Sequence, residues 1–421
     1  MAVIASSAER RTLSLLAGQT SLAQTAWTMA SPSIVITFLA VSVGMPVFLV
    51  GALVSVRQLA SSLTDIFLFE RIAKVRNRKL ALSLCDMILA LCFGATIVSV
   101  LFGTQTQTNI VFVVCIFTMG VADEFQHLLM TDFLADNLQS KSRLLLQYTQ
   151  MAIGGGFGVA LAWIAHELTL ELPPLSRHSI VVTIGIACFA LSALTILAVE
   201  DSAPTNAARP SATRSPLRLA RNYYLNVLAM MKQSWFRQYV VITTVFSAVI
   251  LAVPFFALIA AETHHTTSKG LTAMVTSYAL GYIVAGPLWG TLNNVSHRMV
   301  MITCSLLVGF CGSILATLHM LNLQHDLRIH AIAIFVVTLA VRGIVAVLQV
   351  YFMEIAPKGQ RVKGIAVARS FSRLTMICLS ALLAAVVHLQ ETVWAIFFIA
   401  FVSFATATIS YFFAKKFEDT T

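Results

Sequence analysis

Twelve long apolar runs, parted by short polar breaks, occupy most of the 421-residue chain. A helix needs about 20 residues to cross a hydrocarbon core, and an ordinary globular domain has no interior that could hide so many runs of that length. Twelve spans take up roughly 250 residues and leave little chain for a separate domain. Hydrophobic residues make up 58% of the sequence and charged residues 11%, where a soluble protein would carry roughly a quarter charged. A soluble enzyme, a nucleic-acid binder and a secreted disulfide scaffold are therefore set aside. The composition reads as an all-α polytopic membrane protein.

The formal net charge of +10 reports topology rather than a nucleic-acid partner. Most Lys and Arg residues fall in alternate loops, including the basic run Arg71–Lys79 and the segment from Arg209 to Arg237, whereas Arg177, Lys269 and Arg328 are the few in the other set. The positive-inside rule then places both termini and the long central loop in the cytoplasm. No cleavable signal pattern precedes the first span, and short outer loops suit a bacterial inner membrane. The seven cysteines sit in apolar runs without CxxC spacing, so neither a disulfide framework nor a zinc site is expected.

The chain divides six plus six: an N-terminal bundle over 1–200, a linker over 201–236 and a C-terminal bundle over 237–421. Pro204, Pro210 and Pro216 mark the linker, whose Tyr223–Met231 portion has the pattern of a short amphipathic helix. The halves correspond. Pro32 and Pro254 stand where the first span of each half is expected to end, and an acid-then-base turn closes the fourth span of each: Asp136 to Lys141 and Arg143, then Glu354 to Lys358, Arg361 and Lys363. Internal repeats of this kind build secondary transporters, with substrate sites near the midplane between the halves.

On these residues the sequence resembles the major facilitator superfamily: twelve spans, a long loop between the sixth and seventh, and Glu70–Arg71 in place of the acid–base pair of the 2–3 loop. The glycines of that loop are absent here, while Gly286–Pro287–Leu–Trp–Gly290 keeps glycines and loses the acid. The resemblance implies two pseudo-symmetric six-helix bundles. It implies that the first span lines a central cavity, that the fourth and tenth are symmetry mates beside it, and that the second and eleventh face each other across the halves.

A charge at the bilayer centre is costly, so every charged residue inside a span invites a functional reading. Asp123, Glu124 and His127 form one polar wedge at helical spacing on the fourth span and are the candidates for proton coupling. A fixed ion pair with a midplane arginine is the competing reading of either carboxylate. Glu124-x-x-His127 also suits a metal, but no second ligand pair appears in the spans and no metal or cofactor is expected. Arg342, Arg57 and Arg373 lie near span centres, and arginine presents a planar fork to a carboxylate or phosphate. With Gln24, Trp27 and Thr28 on the polar stripe of the first span, and Gln349 on the stripe of Arg342, they are the candidate substrate ligands. Asp65, Glu70, Arg71, Asp136, Glu354 and Arg369 are the candidate gate residues. Gly154–Gly155–Gly156–Phe–Gly158 in the fifth span is expected to permit close contact with the opposite half.

The expected activity is alternating-access secondary transport, and no enzyme activity: proton-coupled uptake of a small anionic or zwitterionic solute by a monomer in a lipid bilayer. Proton-antiport export of amphiphiles is the first alternative, and a non-transporting receptor or assembly factor the second.

Overall fold

A computed structural model describes residues 7–72, 75, 77–138, 140–199, 216–293, 295–357 and 361–418. Among them the regular structure is helical throughout. The first half comprises α1 (Ser7–Met29), α2 (Val35–Ser42), α3 (Val47–Ile72), α4 (Arg78–Phe102), α5 (Gln105–Asn137), α6 (Ser140–Leu168) and α7 (Pro174–Leu197). After the intervening α8 (Pro216–Met231) come α9 (Ser234–Ile250), α10 (Ala252–His264), α11 (Gly270–Asn293), α12 (His297–Met320), α13 (Leu327–Ile355), α14 (Arg361–Leu389) and α15 (Thr392–Glu418). Side-chain caps set several starts: the Asn77 carboxamide oxygen accepts from Leu80 N–H, and Thr104 and Gln107 form a reciprocal capping box.

Eleven stretches among the described residues are long and apolar enough to cross a membrane, with Ser234–His264 counted as one. The pair α1–α2 completes the twelve-span order. It is less apolar than the other eleven because α1 carries Gln19, Thr20, Ser21, Gln24, Thr25 and Thr28. All six are buried, and the threonine hydroxyls bond main-chain carbonyls; Thr25 Oγ1, for example, donates to Ser21 O at 2.8 Å and to Gly154 O of α6 at 3.2 Å.

The two prolines do not end the first spans of their halves. Pro32 lies in the turn between α1 and α2, and Pro254 sits in the first turn of α10, just beyond the break at Leu251. A proline there lacks only an N–H that the helix would leave unpaired anyway, so the chain turns and continues across as a second helix. The segments beyond the breaks, α2 and α10, pack against each other. The amphipathic segment of the linker is a helix, α8, and it starts earlier than the sequence pattern indicated.

Within the first half α1 packs on α6 and α7, α4 on α5 and α7, and α3 on α5; in the second, α11 and α12 pack on α13, α12 on α15 and α9 on α14. Two long contacts join the halves, α3 along α14 and α6 along α11. The glycine run of α6 serves both kinds of contact. A Cβ at Gly155 would lie 2.7 Å from Ile283 Cγ1 of α11, whereas one at Gly154 would meet Gln24 Cβ of α1 at 2.6 Å. The sequence expectation of contact with the opposite half thus holds for Gly155 alone: Gly154 and Gly158 meet α1, and Gly156 has open space around it. Gly155→Leu forces α6 and α11 apart; overpacking costs about 1–3 kcal/mol. Its melting temperature in detergent is expected to fall by several degrees, and an unchanged value would show that this contact is slack.

Candidate functional site

A cavity of about 460 Å³ lies between the halves. From the first half it is lined by Gln24 and Trp27 of α1, Arg57 and Gln58 of α3, and Asp123 and His127 of α5; from the second by Tyr278 and Tyr282 of α11, Thr338 and Arg342 of α13, and Met376 of α14. A volume in this range suits a small solute.

The charges of the first-half wall are largely matched among themselves. Gly120 lets α5 approach α3 so closely that a Cβ there would stand 2.7 Å from Arg57 O. That approach brings Arg57 Nη2 to 2.7 Å from Asp123 Oδ2. The same guanidinium lies 5.3 Å from the centroid of the Trp27 ring, and Trp27 is fixed edge-on against Phe93 and Phe189.

Deeper along α3, α5 and α14, a second charge cluster joins the halves. Arg373 donates through Nη1 to Asp65 and to Ser61 O, the latter at 2.9 Å, and through Nη2 to Glu124. Arg369 Nη1 stands 3.6 Å from Glu124 Oε1, and its Nη2 is 3.0 Å from His127 Nε2. Both carboxylates are buried, Asp65 at 4% exposure and Glu124 at 6%. Two carboxylates and two guanidinium groups therefore cancel across the interface, and a neutral imidazole fits as acceptor for Arg369.

Arg342 stands apart. Its Cζ lies 3.7 Å from the centroid of the Tyr282 ring, a cation–π contact, and Tyr282 shares a hydrogen bond of 3.0 Å with Tyr278. Among the described residues no carboxylate or hydrogen-bond acceptor pairs with this guanidinium. One helical turn away, Thr338 Oγ1 is buried without a partner, although a threonine in a helix ordinarily bonds a carbonyl of its own preceding turn. The cavity wall thus keeps one cation and one hydroxyl unspent.

The candidate residues separate accordingly. Gln24, Trp27, Arg57, Asp123, His127 and Arg342 line the cavity; Asp65, Glu124, Arg369 and Arg373 meet in the inter-half cluster, so Arg373, a candidate substrate ligand by sequence, faces carboxylates instead. Thr28 is buried off the cavity, its hydroxyl donating to Gln24 O at 2.9 Å. Gln349 is exposed and does not line the cavity. The side chains of Glu70, Arg71, Asp136 and Glu354 lie outside the described residues. Sequence reasoning missed Gln58, Tyr278 and Tyr282, whose residue types carry no signal in an amphipathic span. It also missed Asp86, whose carboxylate inside the apolar run of α4 was a legible one.

Residues 239–421 match the family model of the Major Facilitator Superfamily. No curated protein matches the sequence. Solved structures match over nearly the whole chain. A crystal structure of a mutant form of the nucleoside transporter NupG is 14% identical with a TM-score of 0.69, covering 96% of this chain and 98% of that one. A POT family transporter in complex with 5-aminolevulinic acid is 10% identical with a TM-score of 0.71, covering 96% of each chain. The human organic anion transporter MFSD10 is 14% identical with a TM-score of 0.61, covering 96% of this chain and 99% of that one. The resemblance read from the sequence is carried by both the family model and the fold.

Proposed function

We propose that this chain, a membrane protein of the major facilitator fold, is a secondary transporter that works by alternating access and takes a small anionic or zwitterionic solute into the cavity beside Arg342. The observation that carries the reading is the unpaired Arg342 guanidinium, held flat against Tyr282 with the unpartnered Thr338 hydroxyl on the same helix face. A half-buried cation without a counterion is costly, and a carboxylate or phosphate of the solute supplies one through the arginine fork. Two of the structural neighbours, an organic anion transporter and a transporter in complex with 5-aminolevulinic acid, are compatible with that chemistry. At their identities they speak for the fold alone, and the solute class rests on Arg342.

Proton coupling follows from the groups between cavity and gate. His127 faces the cavity and takes a hydrogen bond from Arg369 of the other half. A proton on Nε2 removes that acceptor and sets two cations against each other; a proton on Glu124 frees Arg369 and leaves Arg373 held by Asp65 and Ser61 O alone. Either event loosens the inter-half cluster, which is the step a coupled transporter needs. Asp123, paired with Arg57 at the wall, is the third candidate carrier. The two moving units are the bundles 1–200 and 237–421, joined by 201–236, in a monomer whose termini face the cytoplasm of a bacterial inner-membrane host.

Liposomes containing the purified protein test this reading. Adding pooled anionic or zwitterionic metabolites outside should give solute-dependent acidification of the lumen. No acidification with folded protein would overturn proton-coupled uptake, and proton movement driven only by amphiphiles would favour export. Asp123→Asn or Glu124→Gln should abolish accumulation while counterflow exchange persists; full accumulation in both variants would remove the carboxylates from the mechanism.

A further inference from the structure

The first half holds a carboxylate that neither the cavity nor the gate uses. Asp86 of α4 is fully buried at 0% exposure. Gln126 Nε2 of α5 donates to its Oδ1 at 2.7 Å, and Ser192 Oγ of α7 donates to its Oδ2 at 2.8 Å. Gln19 Nε2 of α1 donates in turn to Ser192 Oγ at 3.0 Å. Four helices meet at this point, and every partner is neutral. The charge of Asp86 has no counterion among the described residues. Two more deficits accompany it: Gln19 Oε1 and Gln126 Oε1 are buried and receive no hydrogen bond, although Gln19 is 0% and Gln126 8% exposed.

Buried polar atoms are normally satisfied, and a buried charge is normally paired. A proton on Asp86 cancels the charge and can be donated to one amide oxygen turned toward it, such as that of Gln126, but leaves the other amide oxygen without a donor. A water molecule can donate to those oxygens but leaves the charge. A cation, with both amides turned to present oxygen, meets the carboxylate charge and both amide oxygens at once. We propose that Asp86, Gln19, Gln126 and Ser192 form a binding site for a single alkali cation of sodium size in the core of the first half.

The donor set fits. Carboxylate, amide carbonyl and hydroxyl oxygens are the ligands of hard cations, and no group of three His, Cys, Asp or Glu residues that would suit a transition metal gathers among the described residues. A half-turn of its terminal amide presents a glutamine's oxygen where its nitrogen now stands, so rotation of these side chains turns the hydrogen-bonded cluster into an oxygen cage. Gln126 shares its stretch of α5 with Asp123, Glu124 and His127, and Gln19 lies on the helix that carries Gln24 and Trp27. A bound cation therefore fastens α1 and α5, two of the helices that form the first-half cavity wall, to α4 and α7. Only this last consequence rests on the transporter reading; the binding itself does not.

The test is binding to the full-length purified protein in detergent. Melting temperature is measured in sodium chloride, potassium chloride and choline chloride at equal ionic strength, alongside equilibrium binding of radioactive sodium. Sodium should raise the melting temperature above that in choline, and bound isotope should be displaced by unlabelled sodium. Asp86→Asn, which keeps shape and removes charge, should abolish both responses while melting in choline no lower than the wild type. Ser192→Ala, which removes one oxygen, should raise the half-effective sodium concentration about tenfold, the equivalent of about 1.4 kcal/mol. Identical melting in all three salts with no displaceable isotope would overturn the site, as would a sodium response that survives in Asp86→Asn. Stabilisation by acid alone, with no alkali-cation response, would likewise overturn it in favour of a protonated carboxyl group. None of these failures touches solute transport in liposomes, and a chain that fails to transport can still pass them.

Discussion

Arg342→Ala is expected to weaken solute binding by about 30-fold or more, because truncating one side of a buried, hydrogen-bonded charge pair costs about 2–5 kcal/mol and each 1.4 kcal/mol is about tenfold. The size of the effect follows from the cavity's charge balance. Asp123 is neutralised by Arg57, and the carboxylates of Asp65 and Glu124 by Arg373 and Arg369, which leaves Arg342 as the one uncommitted guanidinium among the described lining residues. Arg342→Lys should keep the charge and lose the fork and its flat seat on Tyr282, giving an intermediate affinity. Direct binding by the purified protein separates the two losses. Equal affinity in wild type, Arg342→Lys and Arg342→Ala would make the arginine a structural group and withdraw the anionic solute.

The gross architecture was legible because it rests on counting. An apolar run of spanning length needs a helix, and charge asymmetry and repeated prolines order the runs into halves. The positions of charges inside spans were legible for the same reason: Arg342, Asp123 and Glu124 stand out in apolar sequence wherever they point. Pairing was not legible. Asp123 and Glu124 are neighbours in sequence, yet one turns to Arg57 within its own half and the other to Arg373 across the interface. That divergence depends on the rotation of α5 between α3 and α14, which periodicity cannot fix. Gln349 shows the limit of stripes, since it lies on the face of Arg342 but two turns farther along α13, past the cavity and exposed. Asp86 shows the opposite limit. Its partners come from positions 19, 126 and 192, and no local spacing connects them.

Arg373→Met is expected to be among the most destabilising single changes in the protein, because it strands two buried carboxylates. Asp65 and Glu124 approach the same guanidinium from α3 and α5. Without it, like charges face each other along the contact that holds the halves together, with only Arg369, at 3.6 Å from Glu124, still nearby. Removing one partner of a buried ion pair costs about 3–5 kcal/mol, whereas replacing the whole group by neutral residues of similar size is often neutral. The triple variant Asp65→Asn, Glu124→Gln, Arg373→Met should therefore recover much of the melting temperature lost in Arg373→Met. Its transport should not recover with it, since Glu124, the carboxylate whose protonation loosens the cluster, is gone and only Arg369 and His127 remain. Single cysteines placed at cavity positions such as Gln58 and Thr338 report the conformational side: in the triple variant their labelling should respond to external pH more weakly than in the wild type, through His127 and Arg369 alone. Stability and pH-responsive labelling that returned together would mean the cluster is structural. A triple variant as unstable as Arg373→Met would mean that packing of the arginine stem, not its charge, holds α14 against α3.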